Sequence, residues 1–179
     1  MGERSKGMGI LLALSRGVDW VNEGFGRLAS LCVLLACAIS ATNATLRYGL
    51  NFSSNAWLEV QWYLFAAMVM LGGAVTLRRD EHVRVDIIYA GLAERTRLRI
   101  DVAGLLLFLL PAMAMLVWMT WPLFVESFVR HEVSPNAGGL LRWPVKILLP
   151  LGFALMVAQG LSELVKRIAA LRALPGRTP

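Results

Sequence analysis

The chain has 179 residues, of which 57% are apolar and 17% are charged, and its mean hydropathy is +0.60. A soluble domain carries about 45–50% apolar and about 25% charged residues, so the composition excludes an ordinary soluble protein and predicts one lipid-embedded unit. The net charge of +6 does not indicate nucleic-acid binding, because the Lys and Arg residues are scattered between apolar stretches and form no single basic face.

Residues 1–24 predict an N-terminal surface helix. Apolar residues recur there at steps of three and four, and polar residues occupy the other side. The apolar positions are Ile10, Leu14, Val18 and Val21, and the polar ones are Arg16, Asp19, Asn22 and Glu23. Beside a transmembrane segment, this pattern predicts an amphipathic helix lying along the membrane surface.

Four uncharged stretches follow: Leu28–Leu46, Val60–Leu77, Val102–Val125 and Ile147–Ser162. With a rise of 1.5 Å per residue, a helix of about 20 residues crosses a hydrocarbon layer of roughly 30 Å. Including flanking residues, we predict transmembrane helices at 25–46, 57–77, 100–125 and 143–164. Loops at 78–99 and 126–142 and a tail at 165–179 complete a single membrane domain, with a second surface helix over Asp86–Ala93. The fold class is therefore an all-α integral membrane protein.

The basic residues predict the orientation. Of the 18 Lys and Arg residues, 14 lie in the N-terminal segment up to Arg27, the 78–99 loop and the C-terminal tail. Because basic residues are enriched in cytoplasmic loops, both termini are predicted to be cytoplasmic. Residues 47–58 and 126–143 then face outward.

Inside the four stretches, the polar side chains are hydroxyls and amides only, such as Thr120, Gln159 and Ser162. Ionisable residues within the bilayer are the usual sign of a transport site. We therefore interpret these hydroxyls and amides as hydrogen-bonding groups within or between helices, and we expect no proton or sodium site in this chain alone.

Three groups of polar residues lie at the predicted membrane boundaries. Glu59, with Gln61 and Trp62, is either a carboxylate favoured by a helix N-terminus or a contact to a partner protein. The group Arg79, His82, Arg84 and Asp86 is either a cytoplasmic stop signal with a helix cap, or an ion-paired elbow held against a partner. The outer-loop group Arg130, His131, Glu132 and Arg142 is either a simple turn or a docking surface for a soluble protein.

The sequence predicts no catalytic, cofactor or metal site. His82 and His131 are predicted on opposite sides of the membrane, so they cannot share a metal. No nucleophile and base are paired, no carboxylates face one another and no glycine-rich phosphate loop is present. These observations argue against an enzyme.

Five short segments, in two regions of the chain, carry a resemblance to a known family. Glu59–Phe65, Leu71–Ala74 and Arg78–Asp86, together with Arg142–Lys146 and Leu149–Ala154, resemble the small permease subunit of tripartite ATP-independent periplasmic (TRAP) transporters, the DctQ-like family. The likeness covers residues 20–170. It implies a scaffold subunit in the bacterial inner membrane that works with a large permease subunit and a periplasmic binding protein. Together they would import an organic acid of the carboxylate class, driven by an ion gradient. The alternative is a stand-alone homo-oligomeric four-helix carrier or channel.

Overall fold

The computed structural model describes residues 2–52, 54–81, 89, 91–136 and 138–174, with side chains from residue 7 onward. Four long helices make up nearly all of this part: α1 is Gly2–Leu50, α2 is Asn55–Arg79, α3 is Glu94–Val129 and α4 is Trp143–Ala173. All four are long and apolar enough to cross a membrane, which confirms the predicted all-α membrane fold.

α1 is one uninterrupted helix of 49 residues. The structure differs here from the prediction of a surface helix followed by a separate span, because no break separates residues 10–24 from the first uncharged stretch. No proline occurs between Gly2 and Leu50 to interrupt the backbone hydrogen bonds. At 1.5 Å per residue the helix is about 74 Å long, so it projects well beyond a bilayer core.

α3 contains a wider turn near its middle. It consists of an α-helical part Glu94–Gly104, a π-helical turn Leu105–Leu109 and a second α-helical part Leu110–Val129. The π turn lies just before Pro111, which has no amide hydrogen to donate to the carbonyl four residues earlier. A π turn is a usual way to accommodate such an interruption.

The other helix ends also have local causes. α2 ends where Asp80 adopts a left-handed conformation with φ of 60°, and the amide of Glu81 then donates to Thr76 O at 3.1 Å. α4 begins with the short turn Trp143–Lys146 and continues as Leu148–Ala173, so part of the predicted tail is helical. The predicted surface helix Asp86–Ala93 lies largely outside the described residues, and Ala93 is the extended residue before α3.

α4 is the central helix, because it packs against α1, α2 and α3. The core lies between α1, α2 and α4 and contains Ala29, Leu71, Ala74 and Leu155. Small residues bring these helices close: a Cβ atom on Gly152 would lie 2.7 Å from Met70 O, and one on Gly26 would lie 2.6 Å from Val75 Cγ2. Such close backbone approach is the usual basis of helix packing in membranes.

Candidate functional site

Polar side chains of α1 and α4 meet at the end of the bundle where α1 begins and α4 ends, called here the terminal end. Lys166 Nζ donates to Asp19 Oδ1 at 2.8 Å, Gln159 Nε2 donates to the same oxygen at 2.9 Å, and Ser162 Oγ donates to it at 3.1 Å. Gln159 Nε2 also donates to Glu163 Oε1 at 3.1 Å. Asp19 therefore links the projecting part of α1 to α4.

The end of α2 joins the same group from the other side. Arg78 Nη1 donates to Glu23 Oε2 at 2.8 Å and to the backbone oxygen of Asp19 at 3.2 Å. Arg79 Nη2 pairs with Glu23 Oε1 at 2.9 Å. We call the charged residues here the terminal cluster: Asp19, Glu23, Glu163, Arg78, Arg79 and Lys166. Its three carboxylates and three cations balance, so it ties together three helices without a net charge.

The hydroxyl and amide groups of the uncharged stretches behave as the sequence predicts. Gln159 and Ser162 hydrogen-bond across to α1, where Ser15 Oγ and Ser162 Oγ share a hydrogen bond of 2.6 Å. Thr76 Oγ1 donates to Gly72 O and Thr120 Oγ1 donates to Leu116 O, each one turn earlier in its own helix. The interpretation of these groups as helix-stabilising is confirmed for these residues.

Glu59 anchors the loop between α3 and α4 at the opposite end of the bundle, called here the distal end. Its side chain is only 3% exposed. One carboxylate oxygen accepts a short hydrogen bond from Ser134 Oγ, and the other accepts one from the amide of Leu140 at 3.2 Å. Both sequence-based interpretations of Glu59, a favourable helix end and a partner contact, omitted this contact within the chain.

The loop itself is a compact turn. Ser134 N donates to Leu140 O at 2.8 Å, Arg142 N donates to Glu132 O at 2.9 Å, and Val133 and Leu141 form an antiparallel bridge. A Cβ atom on Gly138 would lie 2.7 Å from Ala56 Cα, so the turn packs directly on the first residues of α2. The loop is therefore a folded cap over the distal end.

Glu132 closes the base of this cap. It accepts a short hydrogen bond from Lys146 Nζ and one from Arg142 Nη1 at 3.1 Å. The hydrogen bond from Lys146 is the main cause that lowers the pKa of Glu132 to about 2, so this carboxylate stays ionised through mildly acidic conditions.

The predicted partner-interface residues are separated in space. Gln61 is half-buried, and its Nε2 has no hydrogen-bond partner among the described residues. Trp62 is exposed beside a cavity of about 250 Å³ formed with Leu58, Glu59 and Asn136. Arg79 lies at the terminal end, in the terminal cluster. His82, Arg84 and Asp86 lie outside the described residues, so the proposed elbow stays a prediction.

The predicted docking residues divide into two kinds. Arg130 is exposed and pairs with Glu126 at 3.1 Å along α3, and His131 is exposed with φ of 49°. Glu132 and Arg142 are instead engaged with each other. Of these four residues, Arg130 and His131 therefore lie outside the Glu132–Arg142 ion pair and have exposed side chains at the distal surface.

The terminal cluster is the main feature that sequence reasoning missed. Asp19, Asn22 and Glu23 were assigned to a surface helix, and Lys166 to a tail, although all lie against other helices. A signal existed: polar residues at positions 15, 19 and 22 of α1 and at 159, 162, 163 and 166 of α4 recur at helical spacing. α1 and α4 are antiparallel, and these two polar stripes have equal length and lie at the same end of the bundle. Such a match indicates that the stripes face each other.

The arrangement holds helices together and offers little to a ligand. Among the described residues, no group of three or more His, Cys, Asp or Glu side chains is placed to hold a metal ion. A groove of about 670 Å³ between α2, α3 and α4 is mostly apolar. The charged residues at its edge include Arg167 and Asp101, which pair with each other at 3.7 Å between Nε and Oδ2. The chemistry of the site is that of a charge-balanced scaffold.

Comparison with known proteins agrees with this geometry. The sequence profile described as "Tripartite ATP-independent periplasmic transporters, DctQ component" matches residues 24–170. No curated protein and no solved structure gives a significant match. The matched part includes all of α2 and α3, most of α4 and the part of α1 from residue 24 onward. It contains the cap at the distal end, whereas Asp19 and Glu23 of the terminal cluster precede it. The resemblance noted in Glu59–Asp86 is thus confirmed, and the chain belongs to the DctQ family, which comprises membrane components of TRAP transporters.

Proposed function

We propose that this chain is the small scaffold subunit of a TRAP-type secondary transporter in the bacterial inner membrane, with both termini in the cytoplasm. It would act with a large permease subunit and a periplasmic binding protein to import an organic acid, a carboxylate, with an ion gradient. The family match supports this assignment. The observation that carries the scaffold role is the absence of Asp, Glu, Lys, Arg and His from Leu28–Leu46, Val60–Leu77, Val102–Val125 and Ile147–Ser162.

The test is transport by purified components in lipid vesicles. We expect no uptake of a radiolabelled carboxylate by vesicles that hold this chain alone, whatever ion gradient is applied. Uptake should require the large subunit, and addition of this chain should raise it. Ion-driven uptake by this chain alone would contradict the proposal and would favour the alternative of a homo-oligomeric four-helix carrier or channel.

The distal cap is the part that we propose to face the periplasm and to receive the binding protein. Arg130 and His131 are exposed there, while Glu59 and Glu132 hold the loop in one conformation beneath them. A rigid loop loses little conformational entropy when it binds. Arg130→Glu with His131→Ala should raise the binding-protein concentration needed for half-maximal uptake. Unchanged half-saturation, with the cap still intact, would contradict docking at this loop.

The segment Arg78–Asp86 is the part that we propose to contact the large subunit on the cytoplasmic side. Arg79 pairs with Glu23 within the chain, and His82, Arg84 and Asp86 are the residues of this segment that we propose to make the contact. Charge reversal at Arg84 or Asp86 should lower the yield of large subunit recovered with the chain. Reversal of the exposed Arg172 near the end of α4 is the matched control, and equal yields for all variants would contradict the contact.

A further inference from the structure

We propose that one helix of the large permease subunit packs along the outer side of α1, on a stripe that begins before the membrane boundary and continues into the bilayer. The stripe has the spacing of a coiled-coil seam, with alternating steps of four and three residues. Its apolar members are Ile10, Leu14, Val21, Leu28, Leu31 and Leu35. Gly17 and Gly24 occupy the two remaining positions. This inference rests on the proposed function, because it takes the partner from it.

The stripe lies away from the rest of the bundle along its whole length. The buried side of α1 contains Ser15, Asn22, Ala29 and Asn43, which are spaced by multiples of seven. Because the stripe has the same seven-residue period, it keeps a constant angle to that buried side. Ile10 and Leu14 are each 63% exposed. The apolar side of the predicted amphipathic helix is therefore the side of α1 that has no partner among the described residues of this chain.

Lipid can cover the inner part of the stripe but not its beginning. The uncharged stretch of α2 ends at Leu77, and Arg78 contacts Asp19 and Glu23, so the hydrocarbon ends near that level of α1. Ile10 lies nine residues before Asp19, which is about 13 Å along the helix axis. The headgroup layer adds only about 5–8 Å to each side of the hydrocarbon. The exposed apolar start of the stripe thus needs protein rather than lipid to cover it.

The shape of the stripe fits a helix. A hollow of about 320 Å³ lies over Gly24, between the side chains of Trp20, Val21 and Leu28. A Cβ atom on Gly17 or Gly24 would meet nothing within 4 Å. In helix pairs with seven-residue periodicity, a side chain of one helix enters a hole formed by residues of the other. The hollow at Gly24 is such a hole, and it is large enough for a bulky apolar side chain.

The charges beside the stripe indicate which helix fits. Arg16 and Arg27 flank it, both are exposed, and neither makes an ion pair with the side chains that the structure describes. They are eleven residues apart, or about 16 Å along the helix. A second copy of this chain would add two more arginines to the interface and, among the side chains that the structure describes beside the stripe, no unpaired carboxylate. The partner helix should instead carry Asp or Glu at a similar separation, on another protein.

Position-specific photocrosslinking tests the proposal. The full chain would be co-expressed with the large subunit of the same transporter, carrying a photoreactive amino acid at Leu14 or Val21. Matched control positions are Met115 and Met119 on the outer side of α3, which are at least as exposed as Val21 and close to Leu14 in exposure. We expect a product with the mass of both subunits from the stripe positions, in at least tenfold excess over the control positions. A product with twice the mass of this chain, or no position dependence, would overturn the proposal.

A second measurement separates this inference from the proposed function. Recovery of the large subunit with the unmodified chain tests the function; its failure would remove the function and this inference together. With that recovery established, Arg16→Glu combined with Arg27→Glu should lower it several-fold, whereas Arg130→Glu at the distal end should not. Full recovery of the large subunit with the double variant would refute the proposed contact at the stripe. If uptake still requires the large subunit and is still raised by this chain, the scaffold function would remain in place.

Discussion

Asn22 of α1 donates a hydrogen bond of 2.7 Å to Gln159 of α4, and the two side chains are 1% and 0% exposed. Gln159 in turn donates to Asp19 and Glu163, so one amide serves both of the carboxylates with which Lys166 pairs. Buried polar groups of this kind stabilise a contact only when their hydrogen bonds are made. Gln159 is thus the residue on which the hydrogen-bond pattern of the terminal end depends.

Replacement Gln159→Leu should destabilise the chain by about 1–2 kcal/mol, the range found for interhelical hydrogen bonds in membranes. The substitution leaves the amide of Asn22 without its acceptor, and it removes donors from Asp19 and Glu163. Thermal unfolding in mild detergent, followed by size-exclusion chromatography, measures the effect. Thr120→Val is the matched control, because Thr120 bonds only within its own helix, and an equal loss of thermal stability in both variants would contradict the prediction.

Replacement Glu59→Ala should free the distal cap without unfolding the bundle. Ser134 Oγ and the Leu140 amide then lose the acceptor that fixes the loop to α2, so the chain should be cleaved more rapidly by trypsin at Arg130 and Arg142. Limited proteolysis with mass spectrometry identifies the cut sites. Glu126→Gln removes an exposed carboxylate that pairs only along α3, and it should leave the cleavage rate unchanged. If both variants are cut at the wild-type rate, Glu59 does not anchor the cap.

The cap should also depend on pH through Glu132. Its pKa is lowered to about 2 from its usual value of 4.5, mainly by the hydrogen bond from Lys146. A carboxyl whose folded-state pKa is lowered contributes stability that is fully present above its unfolded pKa, and that stability is lost as the pH falls through the folded pKa. The contribution of Glu132 is therefore complete at pH 7 and declines between pH 4.5 and about pH 2.

The measurement is a comparison of wild type with Glu132→Gln across this window. The two proteins are compared by the resistance of the cap to an acid-stable protease such as pepsin, or by their thermal midpoints. In either assay, the difference between wild type and variant should be largest at the highest pH used and should decrease towards pH 2. A difference that does not change with pH would mean that packing by the side chain, rather than its charge, holds the base of the cap.

The four helices could be predicted from the sequence, but the contacts between them could not. Uncharged stretches of 16 to 24 residues leave few alternatives in a membrane. The polar side of α1 was harder to place, because a side that faces water and a side that faces another polar helix have the same periodicity. Glu59 and Ser134 are separated by 75 residues, so no local pattern connects them. Their contact follows from the antiparallel order of the helices.

The last prediction concerns the distance between α2 and α4. A Cβ atom at Gly152 would lie 2.7 Å from the backbone oxygen of Met70, and backbone cannot move aside as a flexible side chain can. Gly152→Ala should therefore force the two helices apart and cost about 1–3 kcal/mol, as overpacking does elsewhere. Gly104 in α3 has no atom within 4 Å of its position for a Cβ, so Gly104→Ala should be neutral or stabilising by about 0.5–1 kcal/mol. A lower thermal midpoint for Gly152→Ala, without a decrease for Gly104→Ala, would establish that α2 and α4 are in backbone contact at Gly152. A stabilising effect of Gly152→Ala would show that α2 and α4 pack less closely than this.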